Sequence, residues 1–252
     1  MSIVTKLHNG VLGIEIARSE KKNAMTAPMY SAIATALRTA NADPSVRSVL
    51  ISGQPGIFCS GNDVEDFLTN PPNVPSAPLF EFMQALSGCE KPVVAAVTGS
   101  AIGIGVTMLL HCDLVYVAEG SRFAMPFVAL AIVPEFASSL LFPRLVGHVK
   151  AAEKLLLGDA FTAREAVELN LANAVLAEDK VLDHARQVAE RFNSLPPDAV
   201  RETKKLMRGY DSVEVSNAIA LEGRVLSERL DSQDAKEAFS AFLQTRKATR
   251  TV

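Results

Sequence analysis

Two glycine-bearing loops, each leaving a β-branched apolar run and opening a helix, set the strongest limit on what this chain can fold into. The first reads Ile57-Phe58-Cys59-Ser60-Gly61-Asn62-Asp63-Val64 and follows Val46 to Ile51. The second reads Thr98-Gly99-Ser100-Ala101-Ile102-Gly103-Ile104-Gly105-Val106-Thr107 and follows Pro92 to Val97. Strand, glycine turn and helix, twice over, read as an α/β fold. A helix start gathers unbonded N–H groups, and the helix dipole favours negative charge there. Two such N–H groups converging on one point would stabilise an oxyanion. That points to an enzyme forming an enolate from a carbonyl compound. Glycine turns between strand and helix also occur without any such role, so the loops alone leave both readings open.

The rest of the pattern fills in the frame. Asn9-Gly10 between 3–7 and 11–16 predicts a two-strand hairpin. Thr26, with Pro28 in the first turn, predicts a capped helix to about Ala40. Val46 to Ile51, Pro92 to Val97 and Leu114 to Val117 read as core strands, with a further short one at Arg122-Phe123-Ala124. Helices are expected from Asp63 to Phe67, Leu79 to Ser87 and Gly103 to Leu110. Thr69 to Pro78, with four prolines, should be a mobile surface segment bordering the site together with Phe80-Glu81-Phe82. From Glu135 onward the spacing is helical almost throughout, with a capping box at Thr162 and Glu165 and an amphipathic run from Val181 to Phe192. Beyond Leu195-Pro196-Pro197, residues 198–247 read as three helices.

Composition narrows the classes. With 252 residues, 48% of them hydrophobic, the chain makes one large domain, or one with a small appendage. A net charge of −3 and no basic stripe give nothing for nucleic acid to bind. No apolar run reaches the roughly 18 to 20 residues of a membrane span, because Gly99 and Gly103 break 92–98 and 101–110. The N-terminus has no charged region followed by an apolar stretch, so no signal peptide is expected. Cys59, Cys89 and Cys112, odd in number and scattered, suit reduced thiols in a cytoplasmic protein. Cys59 adjoins the first loop but has no activating base nearby in sequence, and reads as structural. The histidines show no ligand-pair spacing, so no metal site is expected.

Taken together, these residues resemble the enoyl-CoA hydratase/isomerase family, also called the crotonase superfamily, from Asn9-Gly10 to Phe242-Leu243-Gln244-Thr245-Arg246-Lys247. The resemblance implies a crotonase-like spiral of β-β-α turns over 1–195, and a helical C-terminal trimerisation region over 196–252. It implies that the N–H groups of Asn62 and Ile104 hold a thioester oxygen. Hydratases of this family carry one glutamate in Gly-Gly-Gly-Cys-Glu and another in Gln-Pro-Glu. Here Gly103-Ile104-Gly105-Val106-Thr107 and Met125-Pro126-Phe127 stand instead, so Thr107 and Phe127 replace both acids. Neither is a general base near neutral pH.

One carboxylate remains, Glu135 in Ile132-Val133-Pro134-Glu135-Phe136. Its placement, with Ser60-Gly61-Asn62-Asp63, resembles the peroxisomal-type Δ3,Δ2-enoyl-CoA isomerases, in which one glutamate removes and returns the proton. Apolar neighbours should raise its pKa. Read from the residues alone, Glu135 is also an ordinary acid ahead of a helix. Thr107 fits a helix hydroxyl bonded to the preceding turn, or a support near the thioester. Asp63 fits a first-turn acid that holds its loop.

The resemblance places the acyl-CoA against Ser60, Gly61, Asn62, Asp63 and Val64 of the first loop, and against Gly103, Thr107 and Phe127. Lys22 and Ala24 belong to the nucleotide end, beside the basic cluster Arg18-Lys21-Lys22. Arg246, Lys247 and Arg250 are weaker phosphate contacts. No cofactor is implied, coenzyme A being part of the substrate. The implied assembly is a homotrimer or dimer of trimers. The terminus lacks a Ser-Lys-Leu address, which fits a cytoplasmic protein better than a peroxisomal one. Two other readings stay open: a hydratase with a second acid from Asp63, Glu65 or Asp66, and a non-catalytic acyl-CoA binder.

Overall fold

Asn9 and Gly10 both take positive φ, 46° and 72°, as a primed hairpin turn requires. They join β1 (Ile3–His8) to β2 (Val11–Ile16) in antiparallel register, His8 opposite Val11. The computed structural model describes residues 2–72, 76–209 and 212–250, the last five of them by backbone alone. The expectations on Pro75, on Thr251-Val252 and on the side chains of Arg246, Lys247 and Arg250 lie outside the described residues.

After α1 (Ala27–Ala42) the chain repeats one move three times. β3 (Ser48–Ser52) leads to β4 (Ile57–Cys59), then α2 (Val64–Thr69) and α3 (Pro78–Ser87). β5 (Val93–Val97) leads to β6 (Ser100–Ile102) and α4 (Ile104–Thr107), which tightens into a 3₁₀ turn over Met108–His111. β7 (Leu114–Ala118) leads to β8 (Arg122–Ala124) and a 3₁₀ turn over Val128–Leu130. Each turn gives one strand to each of two sheets. β3, β5 and β7 are neighbours in the larger sheet; β4, β6 and β8 are neighbours, all parallel, in the smaller. The expected spiral of β-β-α turns is therefore present.

Sequence explains the spacing. β3 and β5 are buried along their whole length, which is why they read as unbroken apolar runs rather than alternating ones. The corner after β5 is Gly99, at φ 70°, where a Cβ would lie 1.8 Å from the Gly56 carbonyl oxygen. Only glycine lets successive corners stack that closely.

Two expectations need correction. Thr26 occupies the N-cap position of α1, but its side chain makes no cap bond. The Asp66 carboxylate takes the Ala27 N–H instead, at 2.8 Å. The stretch after Glu135 is not all helix. Besides α5 (Ser138–Val146), α6 (His148–Ala152), one π-helical turn (Glu153–Leu157), α7 (Ala163–Glu168) and α8 (Glu178–Glu190), it holds two short strands. β9 (Phe161–Thr162) pairs antiparallel to β8, and β10 (Ala174–Leu176) pairs parallel to β7. Two or three residues carry no readable period, and their pairing comes from partners about 40 to 60 positions away.

The capping box of Thr162 and Glu165 forms at the start of α7. α8 lays Val181, Ala185 and Ala189 on the outer face of the larger sheet, against Leu50, Val94 and Ala96. The three expected C-terminal helices are α9 (Pro197–Gly209), α10 (Ser212–Leu230) and α11 (Gln233–Arg250). Ile219, Leu226 and Leu230 of α10, with Ala235 and Phe239 of α11, join the same apolar core as the spiral. Among the described residues, no helix is long and apolar enough to cross a membrane.

Candidate active site

Because β4, β6 and β8 are parallel neighbours, their C-terminal ends open on one edge. Three segments leave there: 60–63, the turn at Gly103, and 125–135. The first is held by a backbone zipper. Ser60 N–H donates to the Lys22 carbonyl (3.1 Å), Met25 N–H to Gly61 (2.8 Å) and Asp63 N–H to Met25 (2.8 Å). The Asn23 side chain fastens the other side, giving its amide to the carbonyls of Ile57 and Phe58, both at 3.1 Å. In the second segment Gly103 N–H donates to Ala124, while Val106 and Thr107 donate to the Gly103 carbonyl. Among the described residues, no backbone hydrogen bond uses the N–H of Asn62 or of Ile104. Gly61 sits at φ 95°, and a Cβ there would stand 3.2 Å from the Ile102 carbonyl oxygen, so the two segments touch.

Glu135 comes from the third segment and is 3% exposed. Its Oε1 is buried and, among the described residues, makes no hydrogen bond. Burial first, then the negative charge of Glu222, pushes its carboxyl up to about 8, against a hydrogen bond from the Asn62 side chain that holds it down. The Tyr30 hydroxyl of α1 donates to Asn62 Oδ1, which turns the Asn62 amide nitrogen toward Glu135. Tyr30 itself stays a neutral donor, its pKa raised by burial and by Glu135. The ring of Phe136 stacks on His111 at 3.9 Å, and a His111 ring nitrogen meets the Phe136 carbonyl at 2.8 Å. Burial drops His111 to about 3, so the ring is uncharged.

The other expected residues divide into two groups. Ile104, Thr107 and Phe127 are buried beside the loops, and the Phe127 ring lies 3.8 Å from where a Gly103 Cβ would be. Thr107 Oγ1 and Ser60 Oγ are buried without a hydrogen-bond partner among the described residues; the bond expected from Thr107 to the preceding turn is not made. Asp63 and Arg18 are committed to structure. Asp63 caps α2 through the Glu65 and Asp66 N–H groups, and Arg18 Nη1 meets its Oδ2 at 2.6 Å. Burial works to raise the Asp63 carboxyl, but Arg18 and the helix N–H groups outweigh it and hold it below the usual carboxylate range. Arg18 also donates to the Ala24 carbonyl at 2.8 Å. Ala24 and Val64 are buried; Lys22 is exposed, at φ 52°; Lys21 pairs with Glu65 at 3.4 Å. Cys59 is buried and its thiol pushed up to about 12, which bears out its structural reading.

Tyr30 and Glu222 are the site residues that sequence reasoning missed. Glu222 had one usable signal: an acid on the buried stripe Ile219, Gly223, Leu226 of α10. A cavity of about 820 Å³ lies between α3 and α10, lined by Phe80, Leu110, Ile219 and others, but Glu135 and the two loops are not in its wall.

Spiral turns of two strands and a helix, with three strand ends gathered beside the buried Glu135, define a crotonase-fold protein. The chain belongs to the enoyl-CoA hydratase/isomerase family, whose pattern it matches over residues 6–251. It is 32% identical to the mouse (Mus musculus) protein named "Enoyl-CoA delta isomerase 3, peroxisomal", over 96% of this chain and 78% of that one. Among solved structures it is similar to OdaA of Pseudomonas aeruginosa, with 50% identity and a TM-score of 0.94, over 96% of this chain and 98% of that one. It is also similar to an enoyl-CoA hydratase of Mycobacterium avium subsp. paratuberculosis K-10, with 29% identity and a TM-score of 0.87, over 97% and 96% of the two chains.

Proposed function

We propose that the protein is an enoyl-CoA isomerase that moves a 3,4 double bond of an acyl-CoA to the 2,3 position. The observation that carries this reading is Glu135: among the buried carboxyls of the described residues it is the one with an unpartnered buried oxygen, and it lies against Asn62, with burial pushing its carboxyl up to about 8. Ionised, it takes a proton from C2. The electron pair runs to the thioester oxygen, giving a dienolate held by the N–H groups of Asn62 and Ile104. The protonated Glu135 then returns the proton to C4, and the double bond forms between C2 and C3. Atoms and charge balance with no cofactor. The Thr107 and Ser60 hydroxyls, buried and without hydrogen-bond partners among the described residues, support the acyl-CoA contact proposed for both loops. Lys22, exposed at the rim, is proposed for the nucleotide end.

Both isomerase and hydratase names occur among the chain's relatives. A hydratase needs a second acid. Asp63 is tied to Arg18 and α2, Asp66 to α1, and Glu222 to the turn after Glu135, while Glu65 is exposed and paired with Lys21. Phe127 and Thr107 offer none. These commitments favour one-base chemistry.

The test is conversion of 3-hexenoyl-CoA to its conjugated 2-enoyl thioester, with Glu135→Gln alongside. The variant should lose more than about a hundredfold in kcat while still binding the thioester, since a positioned acid–base group contributes about 10² to 10⁴. Near-normal turnover by the variant would overturn the assignment. Hydration of a 2-enoyl thioester as fast as isomerisation would favour a hydratase. Binding without either reaction would leave an acyl-CoA binder.

A further inference from the structure

The backbone after Glu135 is held in a conformation that its residues do not choose. Phe136 has φ 61° and Ala137 φ 56°, two consecutive side-chain-bearing residues in the left-handed region. Each such residue is strained, and persists only where its surroundings impose it. Neither is glycine or asparagine, so something must hold the turn.

Glu222 does so, from α10, 87 positions after Glu135 in the numbering. Its Oε2 accepts the Ala137 N–H at 2.6 Å. Its Oε1 accepts the Ser139 N–H at 2.9 Å and the Ser139 hydroxyl at 2.5 Å. Both oxygens are used, and the residue is 7% exposed. The Ser138 hydroxyl closes the turn from within, donating to the Glu135 carbonyl at 2.7 Å. An acid buried among Ile219, Gly223 and Leu226 is costly for a helix, and a local cap for α5 needs no residue from so far away.

We propose that Glu222 is a positioning residue for the reaction: from α10 it clamps the strained Phe136–Ala137 turn, fixing where the Glu135 carboxyl lies and placing a negative charge behind it. This rests on the reading of Glu135 as the base. The other groups facing Glu135 are neutral: Tyr30 from α1 and Cys59 from β4, both raised by burial, and His111 behind the Phe136 ring. Asn62 contributes a dipole and no charge. Among the described residues, Glu222 is thus the charge that bears on the base; burial pushes its own carboxyl above the ordinary value, against the hydrogen bonds from Ser139 and Ala137 that hold it down.

The two parts of the clamp separate by substitution. Glu222→Gln keeps the size but removes the charge and one acceptor. Glu222→Asp keeps the charge on a shorter arm. We would measure kcat and kcat/KM against pH for both, with 3-hexenoyl-CoA, beside wild type and Glu135→Gln. For Glu222→Gln the acid limb should move to lower pH by about half a unit or more, as loss of a neighbouring like charge requires. For Glu222→Asp the limb should stay in place. In both, kcat should fall at least about tenfold with KM nearly unchanged, because small misplacements of a reacting group carry costs of that order. A limb and a kcat at wild-type values in Glu222→Gln would overturn the proposal. If that variant does not fold, a wild-type kcat in Glu222→Asp overturns it alone. Glu135→Gln keeps the outcomes apart. If it is inactive and the Glu222 variants behave as wild type, the base stands and the clamp falls. If it is active, the reading of Glu135 falls first.

Discussion

A carboxyl held near 8 is a base only in its minor form at neutral pH, and that has two measurable consequences for Glu135. Proton removal needs the ionised form, so kcat/KM for isomerisation should rise with pH and level off above a midpoint near 8. A flat profile between pH 6 and 9 would contradict the role. The second consequence concerns stability. Below about 4.5, the ordinary value, both folded and unfolded chains carry the proton. Between there and 8 the unfolded chain ionises while the folded one resists, so the fold loses stability as pH rises through that window. Glu135→Gln removes this penalty. Its Tm should match wild type near pH 4 and exceed it at pH 9 by several degrees, at about 2–4 °C per kcal/mol for a chain of this size. A variant less stable than wild type at pH 9 would mean that the buried carboxyl is satisfied in a way the Asn62 contact alone does not provide.

At the scale of elements, the site depends on two strand ends meeting, and Gly61 is where they meet. Its φ of 95° and the 3.2 Å approach to the Ile102 carbonyl leave no place for a β-branched side chain. Gly61→Val should therefore push the first loop off the second, lowering kcat/KM at least about tenfold by misplacing the Asn62 N–H. Wild-type kinetic constants would refute the shared role of the loops. What could be read of these elements from sequence follows the range of the forces that make them. The Asn9-Gly10 turn, the Thr162–Glu165 box and the helical spacing of α8 are local, and all are present. β9 and β10 are too short to show a period, and the pairing of Ala174 with Tyr116 is a property of the whole spiral. The site divides the same way. The glycine loops stood out in the chain and the family resemblance singled out Glu135, while Tyr30 and Glu222 reach them from α1 and α10. Arg18 read as part of a basic cluster at the nucleotide end because its partner, Asp63, is 45 positions away.

For the whole molecule the question is what covers its surface. Leu145, Val149, Leu156 and Leu157 follow one another along α5, α6 and the π turn, and Val149 is 82% exposed. Four exposed apolar side chains on consecutive elements are what an interface between copies would cover. A closed ring of identical contacts satisfies such a patch without leaving one open. The family resemblance implies three copies. Sedimentation equilibrium should then give three times the 27.0 kDa chain mass, or six times if two trimers stack. Val149→Asp combined with Leu157→Asp should shift the distribution to 27.0 kDa, since two buried charges would face apolar partners. A wild-type monomer would rule out the assembly, and an intact oligomer in the double variant would move the interface to another face. The backbone of Asn62 and Ile104, with Glu135, Tyr30 and Glu222, comes from one chain. The dissociated variant should therefore still convert 3-hexenoyl-CoA well above the level of Glu135→Gln. Loss of all conversion on dissociation would mean that a neighbouring copy completes the site.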